Sequence, residues 1–275
     1  MRSIEKQTSL YSSLDPYVAP ENQNTMRWLV RNFGERLRFT VGNPRYALAS
    51  LYRELVLADE RFLSAITGVS ARRIRGFLEE PLQTPDFANR IQDAEKTFRA
   101  LKVQSAGADL YAKKVLLQYI AIRAFQPEIV VETGVANGVS SAHILLALQK
   151  NQRGTLHSIG LDDPQFLPAG KPLGWIVPEW LKSRWNLLLG DSRVLLPSLL
   201  TRLGSIDIFI HDSLHTYDHM LWEYRTAFPY LRPGGLLFSD DAAWNSAFPE
   251  FCNEVATKHW RIVRGVGFLQ KNPRP

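Results

Sequence analysis

A single cysteine, Cys252, occurs among the 275 residues. One thiol excludes an internal disulfide framework and any thiolate-rich zinc site, so a bound metal would have to be held by oxygen or imidazole. Cys252 sits in the helix-like run FPEFCNEVATKHW and reads as buried filler rather than as a nucleophile. No apolar run approaches the length of a bilayer span, and the opening MRSIEKQTSLYSSLDP lacks the apolar core of a signal peptide. A cytoplasmic location without a membrane partner is therefore expected. No internal repeat is visible. Charge of one sign is only mildly in excess: the net charge is +6, with 16 basic and 12 acidic residues in 1–105 and 17 and 15 in the remainder. The densest basic cluster, Arg72, Arg73 and Arg75, runs straight into Glu79 and Glu80, the mixture of a solvated helix face, so nucleic acid is not the expected partner.

What is present divides near residue 105. Apolar residues at 45% and charged residues at 22% describe an ordinary globular chain. The first 105 residues are rich in Arg, Leu and Ala at helical spacing. Leu48, Leu51, Leu55 and Leu57 fall largely on one stripe after an Asn43–Pro44 start, and further helices are expected at 70–80 and 85–103. Beyond a helix at about 107–125, short aliphatic runs (EIVVET, TLHSIGL, WNLLLG, IDIFIHD, GGLLFSDD) alternate with helical stretches, and KHWRIVRGVGFLQK reads as two closing strands, expected to be antiparallel. Near-continuous apolar strands alternating with helices imply a parallel sheet covered on both faces. The expected fold is a doubly wound α/β domain over 106–275, with a helical N-terminal extension over 1–105 that serves as substrate cap or oligomerisation module.

In such a sheet, ligands bind at the carboxyl ends of the strands, where connections diverge. EIVVET runs into Gly134-Val-Ala-Asn-Gly138-Val-Ser140-Ser141. The two glycines allow a tight turn and close approach to a ligand, Ser140 or Ser141 could cap the next helix, and Glu132 is placed for a cationic group. This loop lacks both the G-x-G-x-x-G spacing and the P-loop lysine, which lowers the dehydrogenase and nucleoside-triphosphatase readings. After the second strand come Asp162 and Asp163, acids suited to ribose hydroxyls. Asp191 and Ser192 follow the third, where either could simply cap a helix. The stretch PQFLPAGKPLGWIVPEW between them has the composition of a loop that folds over a ligand.

Asp212 follows the fourth strand, with His215 three residues on, and Asp240 and Asp241 end the fifth. If these strands are neighbours, three carboxylates converge, which is unfavourable without a compensating cation. Such an oxygen-rich site suits Mg²⁺, Mn²⁺ or Ca²⁺. An ion there could lower the pKa of a substrate hydroxyl, with His215 within reach as general base. His143, His157, His219 and His259 have no comparable setting and read as core or surface residues.

In this order, ETGVANGVSS, an acidic turn, GDS, IHDSLHTYD and LRPGGLLFSDD resemble the class I S-adenosylmethionine-dependent methyltransferases. Within them the chain is similar to the metal-dependent O-methyltransferases of sugars and natural products and, more distantly, to catechol O-methyltransferase. The resemblance covers about 107–271. It implies a seven-stranded, Rossmann-like sheet and two cofactors, S-adenosylmethionine and Mg²⁺ (or Mn²⁺). Gly134, Gly138 and Ser140 would line the methionine part of the cofactor, Glu132 would lie near its amino group, and Asp191 and Ser192 beside its adenine. Asp212, Asp240 and Asp241 match the metal positions, and His215 the base. One departure is clear: the ribose-binding acid falls at Gly160, and Asp162 would have to substitute. The implied substrate is a small hydroxylated molecule, a sugar or secondary metabolite. The alternatives are a nucleic-acid methyltransferase and a non-catalytic interaction protein; a homo-oligomer is left open.

Overall fold

The computed structural model describes residues 60–100, 113–163, 167–263 and 265–273. All belong to one compact unit that begins at Val56. The helix expected around Leu48–Leu57, and whatever role residues 1–55 have, lie outside the described residues.

Three helices lead in: α1 (Glu60–Thr67), α2 (Ala71–Glu79) and α3 (Pro85–Ala100). Pro85 opens α3 at a position whose N–H would have no helical partner in any case. Phe87, Ile91, Ala94 and Phe98, three to four residues apart, form its buried stripe. These helices lean directly on the α/β region. Glu80 takes an ion pair from Arg123 at 2.6 Å. The Arg90 guanidinium reaches the carbonyls of Trp175 and Ile176, and the Phe98 ring packs edge-on to Trp175 at 5.7 Å.

Helix α4 (Lys113–Phe125) delivers the chain to β1 (Ile129–Thr133), followed by α5 (Val139–Asn151), β2 (Thr155–Gly160), a 3₁₀ turn (Glu179–Arg184), β3 (Trp185–Leu189), α6 (Ser192–Leu203), β4 (Ile206–His211), α7 (Tyr217–Ala227), a 3₁₀ turn at Pro229, β5 (Leu231–Ser239), α8 (Ala247–Glu254), β6 (Trp260–Val263) and β7 (Val266–Gln270). The seven strands form one sheet in the order β3-β2-β1-β4-β5-β7-β6. The first five are parallel, and β7 runs antiparallel to both neighbours. Val130, Val131, Ile208, Phe209, Ile210, Leu237 and Phe238 are buried, as central parallel strands require. Each such side chain withdrawn from water stabilises by about 1.5–3 kcal/mol.

The expected seven-stranded, doubly wound, mostly parallel fold is the observed one. Its strands match the sequence expectation to within a residue or two, except that β5 begins at Leu231 rather than Gly234 because the chain pairs with Ile206 across a register shift. Since β2 and β3 grow to one side of β1 while β4 and β5 grow to the other, the crevice where connections diverge lies at the carboxyl ends of β1 and β4. Among the described residues, no helix is long and apolar enough to cross a membrane.

Candidate active site

The crevice is built from loops in direct contact. Gly134 has φ +88°, and a Cβ there would fall inside the van der Waals radius of the Asp212 carbonyl. Only glycine permits both the backbone angle and that approach, so the β1 loop and the acidic turn after β4 touch. Gly138, at φ +83°, is the N-cap of α5, and a Cβ on it would lie 2.7 Å from Gly174 Cα. The segment after β2 therefore lies across the loop, with Gly174 N donating to the Ala136 carbonyl at 2.9 Å, Ile176 N to Asn137 at 3.1 Å and Trp175 Nε1 to Asn137 Oδ1 at 2.8 Å. The segment expected to cover a ligand covers residues 136–138 themselves.

Ser140 and Ser141 do not cap α5. They lie inside it, and each donates its hydroxyl to Glu132 at 2.6 Å; Ser158 of β2 adds a third bond at 2.7 Å. Glu132 is fully buried. Its carboxylate ties β1 to α5 and β2 rather than facing outward toward a cationic group. Burial pushes its pKa up, and the three neutral donors only partly oppose the shift.

At the next strand end, a Cβ on Gly160 would meet Leu173 Cδ2 at 2.8 Å and Val135 Cβ at 3.1 Å. Leu173 fills the space an acid at 160 would need, which gives the departure at this position a packing cause. Asp162, two residues on, is exposed. Asp191 caps α6 through Oδ1, accepting from Arg193 N at 2.8 Å, while Ser192 is buried with its Oγ 3.2 Å from His219 Nε2.

Across the crevice, ligand atoms from Asp212, His215 and Asp240 all lie within 4.8 Å of one another. His215 Nε2 is 3.7 Å from Asp212 Oδ1, and its Nδ1 is 4.0 Å from Asp241 Oδ2. Asp241 holds a left-handed φ of +47°, an angle Asp tolerates better than most residues. The expected trio of acids is thus arranged with His215 among them: Asp212 and Asp240 form the tight group with the imidazole, and Asp241 faces the other ring nitrogen. Bonds of about 2.0–2.1 Å around an octahedral ion put neighbouring ligand atoms about 3–4 Å apart. Asp212 and Asp240 thus offer carboxylate oxygens close enough together to hold a divalent cation, with the His215 imidazole beside them.

The sequence reading missed what stands behind this cluster. Glu223, fully buried on α7, accepts from Thr133 Oγ1 at 2.5 Å and from Ser213 Oγ at 2.9 Å; His211 Nδ1 and His219 Nε2 face its oxygens at 2.7 and 3.0 Å. His219, expected to be an isolated core or surface residue, is part of this network. Hydrogen bonds from the two histidines hold the Glu223 carboxyl well below the usual range although burial alone would raise it. The signal was available: Met220, Glu223, Tyr224 and Ala227 form one helical stripe, and a charged residue on a buried stripe needs partners. Cys252 is buried, with its thiol pushed up to about 12 by burial, as suits a core residue.

The family described as a methyltransferase domain matches residues 131–242. Among curated proteins, no sequence matches the chain significantly. Three solved structures are similar, each with a TM-score of 0.49. They are the SAH-bound methyltransferase PaMTH1 from Podospora anserina (13% identity over 67% of this chain and 88% of that one), a putative O-methyltransferase from Klebsiella pneumoniae (15%, 66% and 90%), and the O-methyltransferase TomG from Streptomyces achromogenes, involved in tomaymycin synthesis and solved with SAM (19%, 66% and 90%). The segment that matches the methyltransferase-domain model, residues 131–242, contains the β1 loop, the acidic turns and every strand-end residue singled out above.

Proposed function

We propose that the chain is an S-adenosylmethionine-dependent, divalent-metal-assisted O-methyltransferase acting on a hydroxyl of a sugar or natural product. The observation that carries this reading is the convergence of Asp212, His215 and Asp240 beside the Gly134 loop. Gly134, Gly138 and Ser140 would shape the seat of the methionine part of the cofactor, with Asp162 toward its ribose and Asp191 and Ser192 toward its adenine. When bound, the cofactor supplies an electrophilic methyl group. A divalent ion held by Asp212 and Asp240, with Asp241 alongside, would supply Lewis acidity toward the acceptor hydroxyl and fix its orientation. His215 takes the hydroxyl proton, and the carboxylates facing both ring nitrogens stabilise the imidazolium that results. Holding the oxygen in line with the methyl group converts a bimolecular encounter into a positioned displacement.

The acceptor would meet apolar groups exposed on the turns that carry the acids. Leu214 and Trp244, on the turns that carry the acids, are 56% and 74% exposed. Asn245 Nδ2 donates to the His215 carbonyl at 3.2 Å and joins these turns. An acceptor with an apolar or flat face beside its hydroxyl fits such walls better than a uniformly polar one.

Calorimetric titration with S-adenosylmethionine, with Mg²⁺ and then with EDTA, tests the reading. Saturable 1:1 binding is expected, with methyl transfer to hydroxylated acceptors that EDTA abolishes. His215→Ala should bind the cofactor normally and lose turnover by about 10²-fold or more. Unchanged turnover in Asp240→Asn would remove the metal from the reading.

A further inference from the structure

The acids that converge in the crevice sit on turns, yet the residue preceding each turn is pinned. Thr133, His211 and Ser239 are the last residues of β1, β4 and β5, and they lie in one row across the sheet: Thr133 pairs with His211, and His211 with Ser239. The next residue in each chain belongs to the site: Gly134, Asp212 and Asp240. The row passes its register on through the backbone, since Asp212 N donates to the Thr133 carbonyl and Asp240 N to the His211 carbonyl, both at 2.8 Å.

All three side chains of this row are held by two consecutive residues of α7. Glu223 Oε2 binds Thr133 Oγ1 and His211 Nδ1, while Tyr224 OH lies 2.5 Å from Ser239 Oγ, which itself donates to the Asp240 carbonyl at 2.9 Å. Glu223 Oε1 takes Ser213 Oγ, on the residue after Asp212. Side chains from the buried face of one helix thus bracket Asp212 from both sides in sequence and anchor the start of the Asp240–Asp241 turn. Thr133 and Ser213 donate their hydroxyls to Glu223 and two imidazole nitrogens face it, so each carboxylate oxygen accepts from one hydroxyl and has one ring nitrogen beside it. A Gln at 223 would turn an NH₂ toward one of these pairs.

We propose that Glu223 is a positioning residue of the transfer site: with Tyr224 it locks the carboxyl ends of β1, β4 and β5 in register, and this register sets the separation of Asp212, His215 and Asp240. The inference rests on the proposed function for the use of these acids, but the locking itself is a property of the fold. Partners behind metal-binding groups typically change metal affinity by about 10–100-fold when removed.

The test compares the full-length protein with Glu223→Gln and Tyr224→Phe by hydrogen exchange and by Mn²⁺ titration followed by electron paramagnetic resonance. Glu223→Gln should raise exchange at the Asp212 and Asp240 amides about tenfold or more while peptides covering β2 and β3 keep wild-type protection. Its Mn²⁺ affinity should fall about 10–100-fold. Tyr224→Phe, a milder change, should raise exchange at Asp240 and leave Asp212 protected. Unchanged exchange at Asp212 and Asp240 in Glu223→Gln overturns the proposal, as does loss of protection spread equally over β2 and β3, which is the mark of general destabilisation. If the wild-type protein binds no Mn²⁺, the metal reading fails separately, and the exchange pattern still decides the role of Glu223.

Discussion

Two glutamates, Glu132 on β1 and Glu223 on α7, are both fully buried, and they answer burial in opposite ways. Glu132 is met by three serine hydroxyls, and its pKa rises. Glu223 is met by two histidines as well as hydroxyls, and its pKa falls. The number of donors is similar. The difference lies in what the donors can do for a charge, because neutral hydroxyls replace part of the lost hydration whereas an imidazole can share a proton or carry one. Glu132 serves the cofactor-loop side of the crevice as a hydrogen-bonding knot, and Glu223 serves the acidic side as an ionic one.

The harshest way to break this comparison is to delete each carboxylate. Glu223→Ala should cost about 3–5 kcal/mol, the scale for stranding the partners of a buried ionic group. Glu132→Ala, which leaves three serine hydroxyls and a cavity, should cost clearly less, about 2–3 kcal/mol. Urea denaturation of both variants measures the gap, and equal losses would erase the distinction.

Glutamine substitutions sharpen it through pH. The folded-state pKa of Glu223 is depressed, so its contribution is present above the ordinary carboxylate range and is lost as pH falls through the folded value. The advantage of the wild-type protein over Glu223→Gln should therefore shrink on acidification. Glu132 is shifted upward, so the folded state holds its proton more tightly than the unfolded chain. Its contribution is full below the ordinary value and declines as pH rises toward the folded one, and Glu132→Gln should gain on wild type over that rise. Against wild type, the denaturation midpoint of Glu223→Gln should draw level as pH falls below the ordinary carboxylate range, and that of Glu132→Gln should gain as pH rises above it.

The smallest expected effect concerns one donor. Ser141→Ala removes a single neutral hydrogen bond to Glu132 and should cost about 0.5–1.5 kcal/mol. A loss several times larger would mean that the serines act as a cooperative unit, closer to the Glu223 network than the pKa directions indicate.

Much of the architecture was legible beforehand. The aliphatic runs located the strands, and the residues behind them marked the ligand edge, because a parallel strand buried on both faces leaves a distinctive apolar stretch that ends in polar turns. Asp212, Asp240 and Asp241 were legible as acids behind two strands, with His215 nearby as a base; that His215 rather than Asp241 completes the tight group was not. The roles of Ser140, Ser141 and Glu132 were not, since whether a serine caps a helix or turns inward depends on one turn of phase at α5. Gly160 reads as a missing acid, and only packing brings Leu173 into its place. His219 looked isolated because only the fold brings its Nε2 beside Ser192 of α6, Ser213 of the turn after β4 and the buried Glu223.

The sequence alone determined the order of strands and helices, the glycines that the β1 loop needs, and the identity of the acids at the strand ends, because these follow from local patterning and backbone sterics. Tertiary structure decided which of those acids face one another, which buried carboxylate is kept ionised by histidines, and how α7 holds three strand ends in one register. Those outcomes depend on side chains that meet only across the sheet, and no local pattern records such meetings.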